Sequence, residues 1–269
     1  MTMLRPAAVA GRFYPGDPVE LRSAVKEYSS HGAGERAAIA CVVPHAGYMY
    51  SGGVAGSVYG ALKIPRKILL LGPRHFPRGE ALAILSEGVW NTPLGNAKID
   101  SALAGEIKRA FPPLREDEVA HSTEHSLEVQ LPFLQVLSSD FEFVPIVLGT
   151  DRLETLETLG NAVAKVIAAQ SEPVLIVASS DMNHYENDAI TRVKDRLAID
   201  KILALDARGL HEVVRAKEIS MCGYAPAVAM LTAAGKLGAH RAELAAYATS
   251  GDVSGDRDWV VGYAGVIVT

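Results

Sequence analysis

Apolar residues along the chain recur with two periods, and the alternation between them organises the whole sequence. Short runs rich in β-branched and aliphatic residues predict strands at 37–43, 67–71, 81–85, 143–148, 173–178, 242–249 and 259–268. Between them, spacings of three to five residues predict helices at 53–62, 101–110, 122–137, 153–169, 188–205, 209–216 and 224–237. An earlier helix is announced by its start signal: Asp17 as N-cap, Pro18 at the first position and Glu20 at the third, with an expected end near Ser29. The segment Ser30-His31-Gly32-Ala33-Gly34 then reads as a breaker. In the helix at 188–205, Ile190, Val193, Leu197 and the Ile202/Leu203 pair are the expected buried stripe. Alternating strands and helices predict an α/β fold, a mostly parallel or mixed central sheet covered by helices on both faces. No linker, repeat or low-complexity tract divides the chain, so residues 1–269 are expected to form a single domain. Pro112-Pro113 and 91–95 read as loops.

Composition narrows the function classes. The 269 residues carry 26 Lys plus Arg against 31 Asp plus Glu, for a formal charge of −5, without a long single-sign run. A nucleic-acid partner is therefore not expected, because counterion release needs clustered cations. The purest apolar runs, Ile68–Leu71 and Val174–Ala178, are far shorter than a membrane span of ~18 residues. The segment Met1–Gly16 lacks the apolar stretch of a secretory signal, and two cysteines, Cys41 and Cys222, make no disulfide framework. A cytoplasmic location is expected.

Three polar clusters directly follow strand candidates, and each contains a histidine: Pro44-His45-Ala46-Gly47-Tyr48, Gly72-Pro73-Arg74-His75, and Ser179-Ser180-Asp181-Met182-Asn183-His184. In an open α/β sheet, ligands bind beyond the carboxyl ends of the strands, so parallel strands would gather these loops at one edge. Imidazole serves equally as a metal ligand and as a proton carrier near neutral pH, and spacing alone does not separate these roles from loop histidines bonded to backbone. Two imidazoles and a carboxylate on one face would suit a non-haem ferrous site.

A fourth cluster, His121-Ser122-Thr123-Glu124-His125-Ser126-Leu127-Glu128, opens the helix expected at 122–137. The order is not His-Glu-x-x-His, and Ser122 reads as an N-cap, so an exposed or capping His121 is favoured over a zinc ligand. Near the C-terminus, Thr249-Ser250-Gly251-Asp252-Val253-Ser254-Gly255-Asp256 reads as a turn rather than a calcium loop, and Asp252 is the best-placed carboxylate for completing a two-histidine site. Tyr247 is expected in the core, and Cys222 is read as a buried small residue.

Together these motifs resemble the Memo family, called AmmeMemoRadiSam system protein B in bacteria and archaea. The resemblance also rests on Arg5-Pro6-Ala7, Gly11-Arg12-Phe13-Tyr14-Pro15, Tyr50-Ser51-Gly52, Glu124 through Phe133, Cys222-Gly223 and Tyr247 through Asp252. It implies a fold similar to class III extradiol dioxygenases, with a metal pocket at the strand ends. By motif, His45 and His75 match metal ligands and His184 the acid/base histidine, with Asp181 as its catalytic neighbour. The implied substrate-contacting set is His125, Glu124, Tyr48 and Arg74. Animal relatives place a cysteine in the third metal position; ungapped alignment puts Val253 there, so either Asp252 supplies the third ligand or the site has two histidines alone. The implied activity is a metal-dependent oxidase or dioxygenase-like reaction on an unidentified small molecule, with Fe(II) as the cofactor and copper or zinc as alternatives. The other readings are a non-catalytic module that binds a peptide or partner, and metal-assisted hydrolysis with His184 or Glu124 as base. The family name implies a pathway link to AMMECR1-like and radical-SAM proteins.

Overall fold

A computed structural model describes residues 3–30, 35–138 and 140–269. The breaker expected at 30–34 lies, apart from Ser30, outside the described residues. In chain order the elements are β1 (Leu4–Arg5), α1 (Pro18–Ser29), β2 (Ala40–Val43), α2 (Tyr48–Tyr59), β3 (Lys67–Pro73), β4 (Leu82–Ile84), β5 (Val89–Thr92), β6 (Gly95–Ile99), α3 (Ser101–Ala110) and β7 (Arg115–Glu116). There follow α4 (Glu118–Ser122), a 3-10 turn (Glu128–Gln130), α5 (Leu131–Leu137), β8 (Glu142–Leu148), α6 (Leu153–Ala168), β9 (Val174–Ser179), β10 (His184–Glu186) and α7 (Asp188–Leu203). The last are α8 (Ala207–Ala216), α9 (Tyr224–Lys236), β11 (Ala242–Thr249), α10 (Gly251–Ser254) and β12 (Val260–Val268).

The centre of the mixed sheet is the parallel array β8-β3-β9-β2, and β12 closes it antiparallel against β2. Period-two alternation along these strands builds two cores. Leu69, Leu71, Val144, Ile146, Val174 and Ile176 face the layer of α3, α6, α7, α8 and α9. Their neighbours Ile68, Leu70, Phe143, Val147, Leu175 and Val177 face α1, α2 and α5. This is the α/β sheet with helices on both faces that the sequence predicts. Among the described residues, no helix is long and apolar enough to cross a membrane.

Several local expectations are corrected. The loop expected at 91–95 is the tip of a hairpin, with β5 and β6 paired around Pro93-Leu94. Helix α2 begins five residues before the expected start at 53, because its glycines serve close packing rather than a loop. A Cβ at Gly56 would stand 2.3 Å from the Tyr28 carbonyl oxygen, so α1 and α2 touch backbone to backbone there. The single helix expected at 122–137 is broken into α4, a turn and α5, and Ser122 ends α4 instead of capping a new helix. His121 is fully buried, donating from Nδ1 to the Asp117 carbonyl at 2.8 Å.

The expected stripe of α7 holds only at its end, where Ile202 is buried and Leu203 packs against the core. Ile190, Val193 and Leu197 are exposed (45%, 64% and 37%), while Thr191, Asp195, Ala198 and Ile199 are buried. Asp195 decides this. Its carboxylate accepts from the Asn183 amide at 2.8 Å and the Tyr247 hydroxyl at 2.7 Å, in space that a Cβ at Gly262 would fill. Burial raises the Asp195 pKa to about 6. Val193→Ser is accordingly expected to change unfolding free energy by less than about 0.5 kcal/mol, and Ile199→Ala to cost about 2–5 kcal/mol, by denaturant titration. Equal losses would contradict the packing described.

Candidate metal centre

Strands β3, β9 and β2 are adjacent and parallel, so their carboxyl ends share one edge. β2 delivers His45, β3 delivers His75 and β9 delivers Asp181, each two residues beyond the last strand position. The turn between α4 and the 3-10 segment inserts His125 among them. Ring centroids lie 5.1 Å apart for His45 and His75, 5.6 Å for His45 and His125, and 4.5 Å for the stacked pair His75 and His125. One ring nitrogen from each histidine lies within 4.8 Å of the others, so the three together could hold a metal ion.

The surrounding hydrogen bonds fix which nitrogen faces outward. Ser179 Oγ donates to the Ser126 carbonyl at 2.7 Å and accepts from Gln130 Nε2 at 2.9 Å. With its one proton committed, Ser179 must also accept from His45 Nδ1, 2.9 Å away, which leaves His45 Nε2 unprotonated, with the Cys222 thiol 3.2 Å away as its hydrogen-bond donor. Glu124 treats His75 the same way. Its Oε1 accepts from His75 Nδ1 at 2.8 Å and the Ser126 amide at 2.9 Å, and its Oε2 accepts from the His75 amide at 2.7 Å. Such partners on the far ring nitrogen orient metal-ligating histidines.

Electrostatics agree with this assignment. Burial lowers the His45 pKa well below the usual imidazole value, helped by His75 and His125. Burial, then the neighbouring His75, lowers His125 to about 4. Both rings are therefore neutral at pH 7, the form a metal requires. Burial alone would raise the Glu124 carboxyl, but the His75 ring, the Ser126 amide and the His75 amide outweigh it and hold it at about 2.

These groups open into a cavity of ≈ 620 Å³ whose walls include Phe13, Tyr185, Val261 and Tyr263. His184 stands in the wall. Its Nδ1 donates to the Ser220 carbonyl at 2.9 Å and its amide to Ser220 Oγ at 2.7 Å, so Nε2 is the free nitrogen. Tyr185 holds the left-handed conformation at φ 61°, which turns the chain sharply within β10.

Other residues expected at the site are placed elsewhere or act at one remove. Asp252 is not in the histidine group: its carboxylate accepts from Arg192 at 2.9 Å, from Arg257 at 3.0 Å and from the Thr249 amide at 2.8 Å. Two arginines and an amide occupy it, and the group that could hold a metal is His45, His75 and His125. Asp181 lines the cavity, but its Oδ1 accepts the His45 amide at 2.7 Å, and burial raises its pKa. Glu124 faces His75 rather than the cavity. Tyr48 is buried and donates to the Val129 carbonyl at 2.6 Å, and Arg74 donates to the Gly79 carbonyl at 2.9 Å; neither lines the cavity.

Cys222, expected to be a buried small residue, is only partly buried. It lines the cavity with Sγ 3.2 Å from His45 Nε2. The holding roles of Ser179 and Gln130 also escaped sequence reasoning. Their only signal is a polar residue at the end of the apolar run 174–178 and another inside the apolar stretch 129–134.

Comparison with known proteins agrees with the fold. A crystal structure of an uncharacterized protein from Escherichia coli K12 superposes with a TM-score of 0.56, at 14% identity, covering 85% of this chain and 98% of that one; it supports the fold alone. A MEMO1 family protein of Methanopyrus kandleri is 42% identical over 98% of this chain and 99% of its own. Others from Methanosarcina barkeri (42%; 98% and 100%) and Sulfolobus acidocaldarius (41%; 98% and 99%) are equally full-length matches. The family model described as Memo-like protein matches residues 5–267, and this chain belongs to that family.

Proposed function

We propose that this chain is a non-haem metal enzyme that carries out an oxidase or dioxygenase-like reaction on a small, largely apolar molecule, with ferrous iron in the histidine group. The observation that carries this reading is the set of three clustered imidazoles, two of them held at Nδ1 by Ser179 and Glu124 so that their outer nitrogens are unprotonated. Bound there, iron would supply Lewis acidity, a one-electron couple and open positions for oxygen and substrate. The protein's own part is positioning. Phe13, Val261 and Tyr263 give the substrate an apolar wall and exclude water. Among the described residues no lysine or arginine lines the cavity, which disfavours substrates that need a charge partner for carboxylate or phosphate. His184 Nε2, with Nδ1 committed to Ser220, exchanges a proton with a substrate hydroxyl that reaches the cavity wall. Asp181 keeps His45 in place through its amide.

The Cys222 thiol beside His45 favours a second occupant, copper or zinc, since sulfur is the softer donor. Nitric oxide, a diatomic stand-in for oxygen, tests the iron reading without a substrate. Added anaerobically to the ferrous-loaded chain, it is expected to give the iron–nitrosyl EPR signal in wild type and none in His75→Ala. Bound iron that gives no such signal would overturn the oxygen-activating reading and support the module that only binds a peptide or partner.

A further inference from the structure

The N-terminal segment lies on the turn that carries Glu124 and His125, although more than a hundred residues separate them. Arg5 is 4% exposed and spends its donors there: Nε on the His121 carbonyl at 2.7 Å, one terminal nitrogen on the Glu124 carbonyl at 2.8 Å and the other on the Glu128 carboxylate at 2.6 Å. Its guanidinium also stacks 4.0 Å from the Trp90 ring centre. Glu128, fully buried, returns the tie by accepting the Ala8 and Val9 amides at 2.8 and 3.0 Å and the Tyr14 hydroxyl at 2.7 Å. The segment so fastened sets Phe13 against His125, with ring centroids 4.7 Å apart. Among the described residues no hydrogen bond orients the His125 ring, unlike those of His45 and His75; a Glu124 carboxylate oxygen lies 3.7 Å from its Nδ1.

We propose that the buried Arg5–Glu128 pair is a positioning device for the metal centre: it locks residues 5–14 onto the 121–128 turn and thereby aims His125 and the Glu124 that holds His75. The proposal rests on the metal reading above but concerns residues that touch neither metal nor substrate. A generic structural ion pair would add stability without bearing on ligand geometry. This one bonds two carbonyls just before His125 and the Glu128 carboxylate just after it, and fixes the Phe13 ring against the ligand, so loosening it moves the donor set itself.

The test compares zinc affinity, by competition with a chromophoric chelator, in wild type, Arg5→Lys, the Arg5→Met/Glu128→Gln double variant and Leu159→Ala. Leu159 is a buried residue of the opposite core, so its truncation serves as a control for lost stability alone. The double variant removes both charges together and leaves none uncompensated. It is expected to bind about 10- to 100-fold more weakly, as loss of outer-shell support does, with Arg5→Lys intermediate and Leu159→Ala unchanged. In the metal-free chain, the His125 ring-proton resonance, set by stacking on His75 and Phe13, is expected to move in both Arg5 variants and not in Leu159→Ala. Should the double variant fail to fold, Arg5→Lys decides. Unchanged affinity with an unmoved His125 resonance overturns the proposal, as does an equal loss in Leu159→Ala. A wild type that takes up no zinc overturns the metal reading instead, and the resonance alone then decides the positioning role.

Discussion

Glu124→Gln is expected to weaken metal binding by about 10- to 100-fold while leaving the fold intact. The carboxylate now accepts three N–H groups, two from His75 and one from Ser126. An amide has one oxygen and must turn its NH2 toward one of these donors. If it faces the ring, His75 is pushed to accept at Nδ1 and carry its proton on Nε2, where a metal can no longer bind. Acid stability should change too. The Glu124 pKa of about 2 lies below the ordinary 4.5, so this group stabilises the fold by about 3 kcal/mol above pH ~4.5, and that contribution is lost as the pH falls toward 2. Metal-free wild type and variant should therefore differ most near neutrality and converge in acid. An unchanged affinity, or a stability gap that widens on acidification, would contradict the role assigned to Glu124.

The second large effect is expected at Gly223, where α9 starts against the end of β9. A Cβ there would stand 2.2 Å from the Ser179 carbonyl oxygen and 2.4 Å from Ser180 Cβ. Backbone and a packed strand end cannot give way like a flexible side chain, so Gly223→Ala is expected to cost about 3 kcal/mol in denaturant unfolding. The strain falls on Ser179, which holds the His45 ring, so weaker metal binding should accompany the lost stability. A variant within about 0.5 kcal/mol of wild type would show that the junction is looser than described.

The parts of this architecture that repeat along the chain were legible in its sequence. Continuous apolar runs marked the buried parallel strands, and polar residues straight after three of them placed His45, His75 and His184 at one edge. What escaped depends on partners distant in sequence. Asp252 is chemically a fine ligand, but Arg192 on α7 and Arg257 beyond α10 occupy it, and nothing in its own neighbourhood announces them. His125 was expected at the pocket but not as a donor beside His45 and His75, because its segment reads as one continuous helix, whereas the Glu124 carboxylate, accepting from the Ser126 and His75 amides, holds the backbone in a turn. The stripe of Ile190, Val193 and Leu197 fits a buried helix face by periodicity, yet Asp195 faces inward because Asn183, Tyr247 and the small Gly262 make a place for it. Cys222 gave no local sign that α9 would bring it to His45.

The most direct test of the account is the metal content of untagged protein, purified without oxygen, loaded with ferrous iron, freed of excess and measured by mass spectrometry. Wild type and Asp252→Ala are expected to hold nearly stoichiometric iron, the His45→Ala/His75→Ala chain almost none, and His125→Ala much less than wild type. No retained metal in wild type, or a loss in Asp252→Ala as large as in His125→Ala, would contradict a metal centre built on His45, His75 and His125.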